Sequence, residues 1–234
     1  MHPNVLETLR SYLGSPACEG RHRSMYRDTG GNSVGIGCQM ESVEEAQRLP
    51  WARRDGRPWA GADERHRVVA AEYARIRSGG SGSAGPDAVV LPDRAIDELF
   101  DRQARANEGV LQHLFGDWPG FPADAQLGIL HFSWIRSSAP GITAWHGGAF
   151  VEAVRAREWD RAGGESLWEE LREAPQPRHG HRRNAVLRMF HNAALVDATH
   201  GGVPVSWLFF PRDAEDTTRR YSHAGSESLV GSLR

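Results

Sequence analysis

The chain has too little cysteine to be held together by cross-links. Cys18 and Cys38 are the only two in 234 residues, which excludes a disulfide framework and any CxxC-based metal or redox motif. No apolar run approaches the roughly 18 residues that a membrane-spanning helix needs, so no membrane partner is expected. Residues 1–13 lack a basic stretch followed by an apolar one, so they do not read as a secretory signal. The expectation is synthesis in the cytoplasm, with any external substrate reached only after delivery or lysis. Such an origin favours free thiols at both cysteines. A surplus of one charge is also missing. The formal net charge is −2, leaving no global basic field to draw the chain onto nucleic acid. Internal repeats are absent. His146, His179 and His181 have no third ligand at a suitable spacing, so no metal is expected, and no other cofactor is called for.

What is present is a globular composition, 39% hydrophobic and 25% charged. The length suits one domain or two lobes sharing a long connection. Eight tryptophans suit either a core or a sugar-binding surface, and core packing is the plainer reading.

Periodicity orders the chain. Val5, Leu6, Leu9 and Leu13 predict a first helix ending at Gly14. Ser24 to Cys38 is short, Gly-rich and β-branched, and Gly30-Gly31-Asn32 reads as the turn of a two-stranded hairpin. Ser42 with Glu45 forms a capping box that opens a short helix to about Leu49. Trp51 to Pro58 reads as loop, Asp63 to Ile76 as a helix, and Ser78 to Pro86 as a flexible loop tip. A long amphipathic helix follows Pro92, carrying Ile96, Leu99, Phe100, Val110, Leu111 and Leu114. Ala125 to Ile135 is apolar nearly all round, as a buried central helix would be. Phe150, Val151 and Val154 mark another helix. Leu167, Trp168 and Leu171 mark a short one, and Val186, Leu187, Phe190 and Ala194 the last long one. Val205 to Phe210 reads as a late apolar, strand-like segment, with a polar tail after it. The expected fold class is therefore α+β: a small hairpin-containing first lobe, a larger all-helical second lobe, and a cleft between them.

The stretch Glu19 to Gly37 carries the chemistry. Eight residues separate Glu19 from Asp28, and four separate Asp28 from Ser33. Folding the hairpin back against the helix end can bring two carboxylates and a hydroxyl to one side of a cleft. Glycoside hydrolysis needs such a set: one carboxyl to protonate the leaving oxygen, another to activate water or to stabilise positive charge on the sugar. Taken singly, Glu19 reads first as a solvated helix-end charge and Asp28 as a turn residue that caps a backbone amide.

This segment resembles the phage T4-type lysozymes, the endolysin-like muramidases. Their signature is a Glu, eight residues, an Asp, about five residues and a Thr, then an apolar-Gly-apolar-Gly strand. Here that reads Glu19, Asp28, Ser33 and Val34-Gly35-Ile36-Gly37, and Tyr26 and Thr29 fit the family's Y-x-D-T run. The run RHRSMYRDTGG is similar to a branch found near contractile, phage-tail-like injection systems. Further on, Ala125 to Trp134 resembles the central helix, Phe150 to Ala162 a helix pair and Arg182 to Phe190 the closing Arg-rich helix. The resemblance implies a lysozyme-like catalytic domain over residues 1–198, with lobes of about 14–91 and 92–198 and an extension over 199–234. It also implies hydrolysis of the β-1,4 bond between N-acetylmuramic acid and N-acetylglucosamine in peptidoglycan, by inversion. Glu19 would be the acid, and Asp28 with Ser33 would hold and activate the water. Tyr26, Arg182 and Arg183 would contact substrate or the acid. Glycan strands would be the partner, together with an injection apparatus.

Three departures accompany the likeness. Ser33 replaces the usual Thr in a hairpin one residue shorter, Cys38 replaces a His, and Ser133-Trp134 follow Phe132 where Asn is common. They keep open a degenerate domain that binds peptidoglycan or serves as a structural part of such a machine. A lytic transglycosylase or a chitin hydrolase is a further alternative.

Overall fold

In the computed structural model, which describes residues 1–28, 31–82, 85, 88–136, 148–173 and 179–214, Val5, Leu9 and Leu13 line one side of helix α1 (Pro3–Leu13) and are fully buried. Among the described residues the chain is α+β. A small antiparallel sheet with helices lies toward the N-terminus, the remainder is mostly helical, and there are eight helices in all. Contacts divide it into two compact units: Arg10–Arg105, and Met1–Leu9 together with the chain from Ala106 on.

The Arg10–Arg105 unit holds the sheet. Strands β1 (His22–Asp28), β2 (Gly31–Gly35) and β3 (Cys38–Met40) pair antiparallel in that order, so the two-stranded hairpin read from sequence is a three-stranded sheet. The extra strand arises because Gly35 and Gly37 both take φ +68°, a conformation that lets the chain reverse a second time. The ladder pairs Asp28 with Gly31 and Asn32 with Met40. Asn32 thus lies in strand rather than turn, buried and donating to the Tyr73 carbonyl at 2.8 Å. Ser42 caps α2 (Val43–Arg48) by accepting from the Glu45 amide at 3.2 Å, while Glu45 Oε2 accepts from the Glu41 amide at 2.8 Å. Helix α3 (Ala62–Arg77) buries Val69, Tyr73 and Ile76.

The expected loop at Trp51–Pro58 contains β4 (Ala52–Arg53), which pairs with β5 (Val89–Val90). Trp51 is the reason. Its buried indole donates to the Ala46 carbonyl at 2.7 Å and holds the segment against α2. Helix α4 (Asp93–Phe115) leaves this unit at residue 105. Its Ile96 meets Gly35 so closely that a Cβ at Gly35 would lie 3.3 Å from the Ile96 side chain.

The other unit is helical. Helices α5 (Ala123–Arg136), α6 (Ala149–Arg155), α7 (Trp159–Glu173) and α8 (His179–Ala198) pack on one another. The short helix expected around Leu167 is the second half of the 15-residue α7. Gly128 of α5 and Gly163 of α7 both leave room for the Phe190 ring. A Cβ would come within 3.0 Å of it at Gly128 and 3.4 Å at Gly163. Between α6 and α7, Arg157 takes φ 57°. Its guanidinium is fixed by two 2.9 Å bonds to Asp197, one of 3.0 Å to Asp117 and one to the Gly120 carbonyl.

The apolar segment Val205–Phe210 is not a strand. The Trp207 amide closes a turn onto the Pro204 carbonyl, and two further amides are taken by a side chain instead of a ladder. Phe209 and Phe210 donate to the carboxylate of fully buried Asp124 at 2.8 and 3.0 Å, and the Val205 carbonyl accepts from the Ala123 amide at 2.7 Å. Asn192, also fully buried, donates to Asp124 and to the Arg212 carbonyl and accepts from Ala214. Most described tryptophans are core: Trp51, Trp118, Trp134 and Trp159 are buried, whereas Trp207 is exposed. Thr29, His146 and the tail from 215 lie outside the described residues, as do the side chains of Trp168, His179 and His181.

Candidate active site

Glu19 is held by the end of α1. The Leu13 carbonyl, left over at the helix terminus, accepts from the Glu19 amide at 3.0 Å and the Gly20 amide at 3.2 Å. Gly20 takes φ +77°, and the chain passes directly into β1. Arg21 pins this corner to α4 through a 2.8 Å bond to Asp97. That bond raises the guanidinium pKa above its ordinary value.

On β1 the side chains alternate. Met25 is buried on one face, while Tyr26 and Asp28 share the other. The register adds to that second face. Ser33 of β2 is the direct partner of Tyr26, and Gln39 of β3 is the direct partner of Ser33. Gly31 stands opposite Asp28 and offers no side chain. A Cβ there would lie 3.1 Å from Gln39 Nε2, so the Gln39 amide lies over Gly31, beside Asp28. Asp28 is exposed, Glu19 is half-buried and Ser33 is only 2% exposed.

Tyr26 ties these groups together. Burial pushes its phenol well above the ordinary range. The charges of Glu19, then Asp28, then Cys38 push the same way, and the Gly37 backbone N–H opposes them. Two carboxylates from separate elements therefore bear on one hydroxyl. Its ring stacks at a tilt on His22, with centroids 4.4 Å apart. The His22 Nε2–H donates to the Glu19 carbonyl at 2.9 Å.

Glu19, Asp28, Ser33 and Tyr26, which the sequence singles out together, belong to one unit, and Asp28, Ser33 and Tyr26 share one sheet face. Arg182 and Arg183 belong to the other unit. Arg182 is buried on α8 and Arg183 is exposed beside it. The Arg182 charge acts on fully buried His131 of α5, whose pKa is pushed down to about 3, chiefly by burial. Sequence reasoning passed over Gln39 and His22. The signal for Gln39 was available in the alternation of buried Cys38, half-buried Gln39 and buried Met40, once a third strand is recognised. His22 gave none, because its role depends on a bulge.

Cys18 and Cys38 are both buried free thiols, and burial raises the Cys38 thiol to about 12, so Cys38 is not poised as a nucleophile. Among the described residues no group of three His, Cys, Asp or Glu side chains could hold a metal ion, and no helix is long and apolar enough to cross a membrane. The chain matches no family model, no curated protein and no solved structure.

Proposed function

We propose that this chain is a lysozyme-like muramidase that hydrolyses the β-1,4 bond between N-acetylmuramic acid and N-acetylglucosamine in peptidoglycan. The observation that carries the reading is that Asp28, Tyr26 and Ser33 share one sheet face while Glu19 is tied to Tyr26 through His22, whose ring holds the Glu19 carbonyl and stacks on the Tyr26 ring. The spacing of Glu19, Asp28 and Ser33, with its resemblance to the T4-type lysozymes, supplies the direction of the chemistry.

Glu19 acts as the general acid and gives its proton to the leaving glycosidic oxygen. Asp28 is the base for the attacking water. It lies diagonally across the ladder from Ser33, a relation that sets backbones about 7–8 Å apart and leaves the side-chain oxygens a gap that one water bridges. Attack from the face opposite the leaving group inverts the anomeric carbon in one displacement. The Gln39 amide, over Gly31, is placed to hold the sugar or the same water. Arg182 and Arg183 are assigned to substrate contact on the resemblance alone.

The test is digestion of purified peptidoglycan with the sugar ends identified by mass spectrometry. The reading expects new reducing N-acetylmuramic acid. Anhydro ends would mean a lytic transglycosylase, reducing N-acetylglucosamine a different bond, and no release a binding or structural role.

A further inference from the structure

The helix end that carries Glu19 and the strand that carries Asp28 are joined by more than the chain between them. In a regular strand, residues four apart are separated by about 13 Å, too far for their rings to touch. Here β1 is irregular. His22 pairs with Gly35 and Tyr26 with Ser33, so four steps along β1 are matched by two along β2. The bulge brings the rings of His22 and Tyr26 to 4.4 Å between centroids.

The stack is braced at both ends. At one end the His22 ring holds the Glu19 carbonyl at 2.9 Å and lies so close to Gly20 that a Cβ there would sit 3.2 Å from Nε2. At the other end Tyr26 is fixed in the sheet opposite Ser33, two residues from Asp28 on the same face. A ring nitrogen bearing hydrogen donates to a carbonyl in both the neutral and the charged imidazole, so the brace does not depend on protonation of His22.

We infer that the His22–Tyr26 stack is a spacer that sets the separation of the Glu19 and Asp28 carboxyl groups. His22 is then a positioning residue, acting through Glu19 without touching substrate. The distance between acid and base decides whether a water fits between base and sugar, and with it the stereochemical course of glycoside hydrolysis. The consequence for turnover rests on the muramidase reading, whereas the geometric claim does not.

The experiment pairs crystal structures with kinetics on peptidoglycan, for wild type, His22→Ala and His22→Phe. In His22→Ala the carboxyl separation is expected to change by about 1 Å or more. kcat should fall at least about tenfold, with KM within about twofold, because misplacement of that size is costly to chemistry and not to binding. His22→Phe keeps a ring on Tyr26 and is expected to recover the separation and most of kcat. If His22→Ala does not fold, His22→Gln replaces it, keeping a donor without a ring. An unchanged separation in the ring-less variant overturns the spacer, whether or not kcat falls. If wild type releases no sugar ends, the muramidase reading fails, and the separations still decide the spacer.

Discussion

The two units each contain a notable carboxylate setting, and the two are built in opposite ways. Around Glu19 and Asp28 the helix end pairs the Glu19 amide and the ladder carries Asp28, one carboxylate is half-buried and the other exposed, and Tyr26 and Ser33 share the face of Asp28. Asp124 is fully buried, and its oxygens accept from the amides of Phe209 and Phe210 and the side chain of Asn192. A carboxylate whose oxygens are taken up by the protein holds the fold; one that faces outward among convergent polar groups is available to a substrate. On the proposed function the first setting is the catalytic one and the second architectural, and the contrast can be broken from either side.

The largest effect is expected at the outward pair. Glu19→Gln and Asp28→Asn should each lower the rate of wall hydrolysis about a hundredfold or more, with thermal midpoints within a few degrees of wild type. Full activity in either variant would remove that residue from the site.

At Asp124 the loss should be of stability. Asp124→Ala leaves the Phe209 and Phe210 amides buried without their acceptor and should cost about 2–5 kcal/mol in urea unfolding, while the rate per folded molecule is retained. The pH dependence has a definite sign. Burial raises Asp124 from the ordinary 3.8 to about 6, against the opposing hydrogen bonds from Phe209, Asn192 and Phe210. A carboxyl raised on folding contributes stability that is full below its unfolded value and is lost as pH rises through about 6. Wild type should therefore lose about 2–3 kcal/mol relative to Asp124→Asn between pH 4 and 7. Parallel stability curves over that range would contradict the assignment.

The same network makes a smaller, coarser test. Removing residues 199–234 leaves Asp124 and Asn192 only each other among these partners and should lower the thermal midpoint by several degrees, whereas removing 215–234 leaves every one of those bonds and should not. Equal midpoints would mean that the segment through Ala214 does not contribute. Smallest is Ser33→Ala, which removes one hydrogen bond to the proposed water, worth roughly 1 kcal/mol, or about tenfold in rate. Ser33→Thr should hold or raise activity, since the branched side chain restricts χ1. Indifference to both changes strikes Ser33 from the site.

The contrast also explains what could be read in advance. Helices with a regular apolar stripe were legible, because periodicity alone places Val5, Leu9 and Leu13, or Ile96 and Phe100, on one side. That Asp28, Ser33 and Tyr26 lie together on one hairpin was legible through their spacing. Features that depend on tertiary partners were not. Val205–Phe210 looks like a strand in isolation, and only the distant Asp124 and Asn192 make its irregular backbone viable. Ala52–Arg53 is strand because it finds Val89–Val90 thirty-odd residues later. His22 looks like one more polar residue in RHRSMYRD until a bulge lays it on Tyr26.

The central claim is that Glu19 and Asp28 work together as acid and base on wall glycan. Its most direct test counts new reducing N-acetylmuramic acid ends, trapped by borohydride reduction, after purified peptidoglycan is incubated with wild type, Glu19→Gln or Asp28→Asn at matched folded concentration. The account predicts steady release by wild type and about a hundredfold less by each variant. Release by Glu19→Gln at the wild-type rate, or none by well-folded wild type, would contradict it.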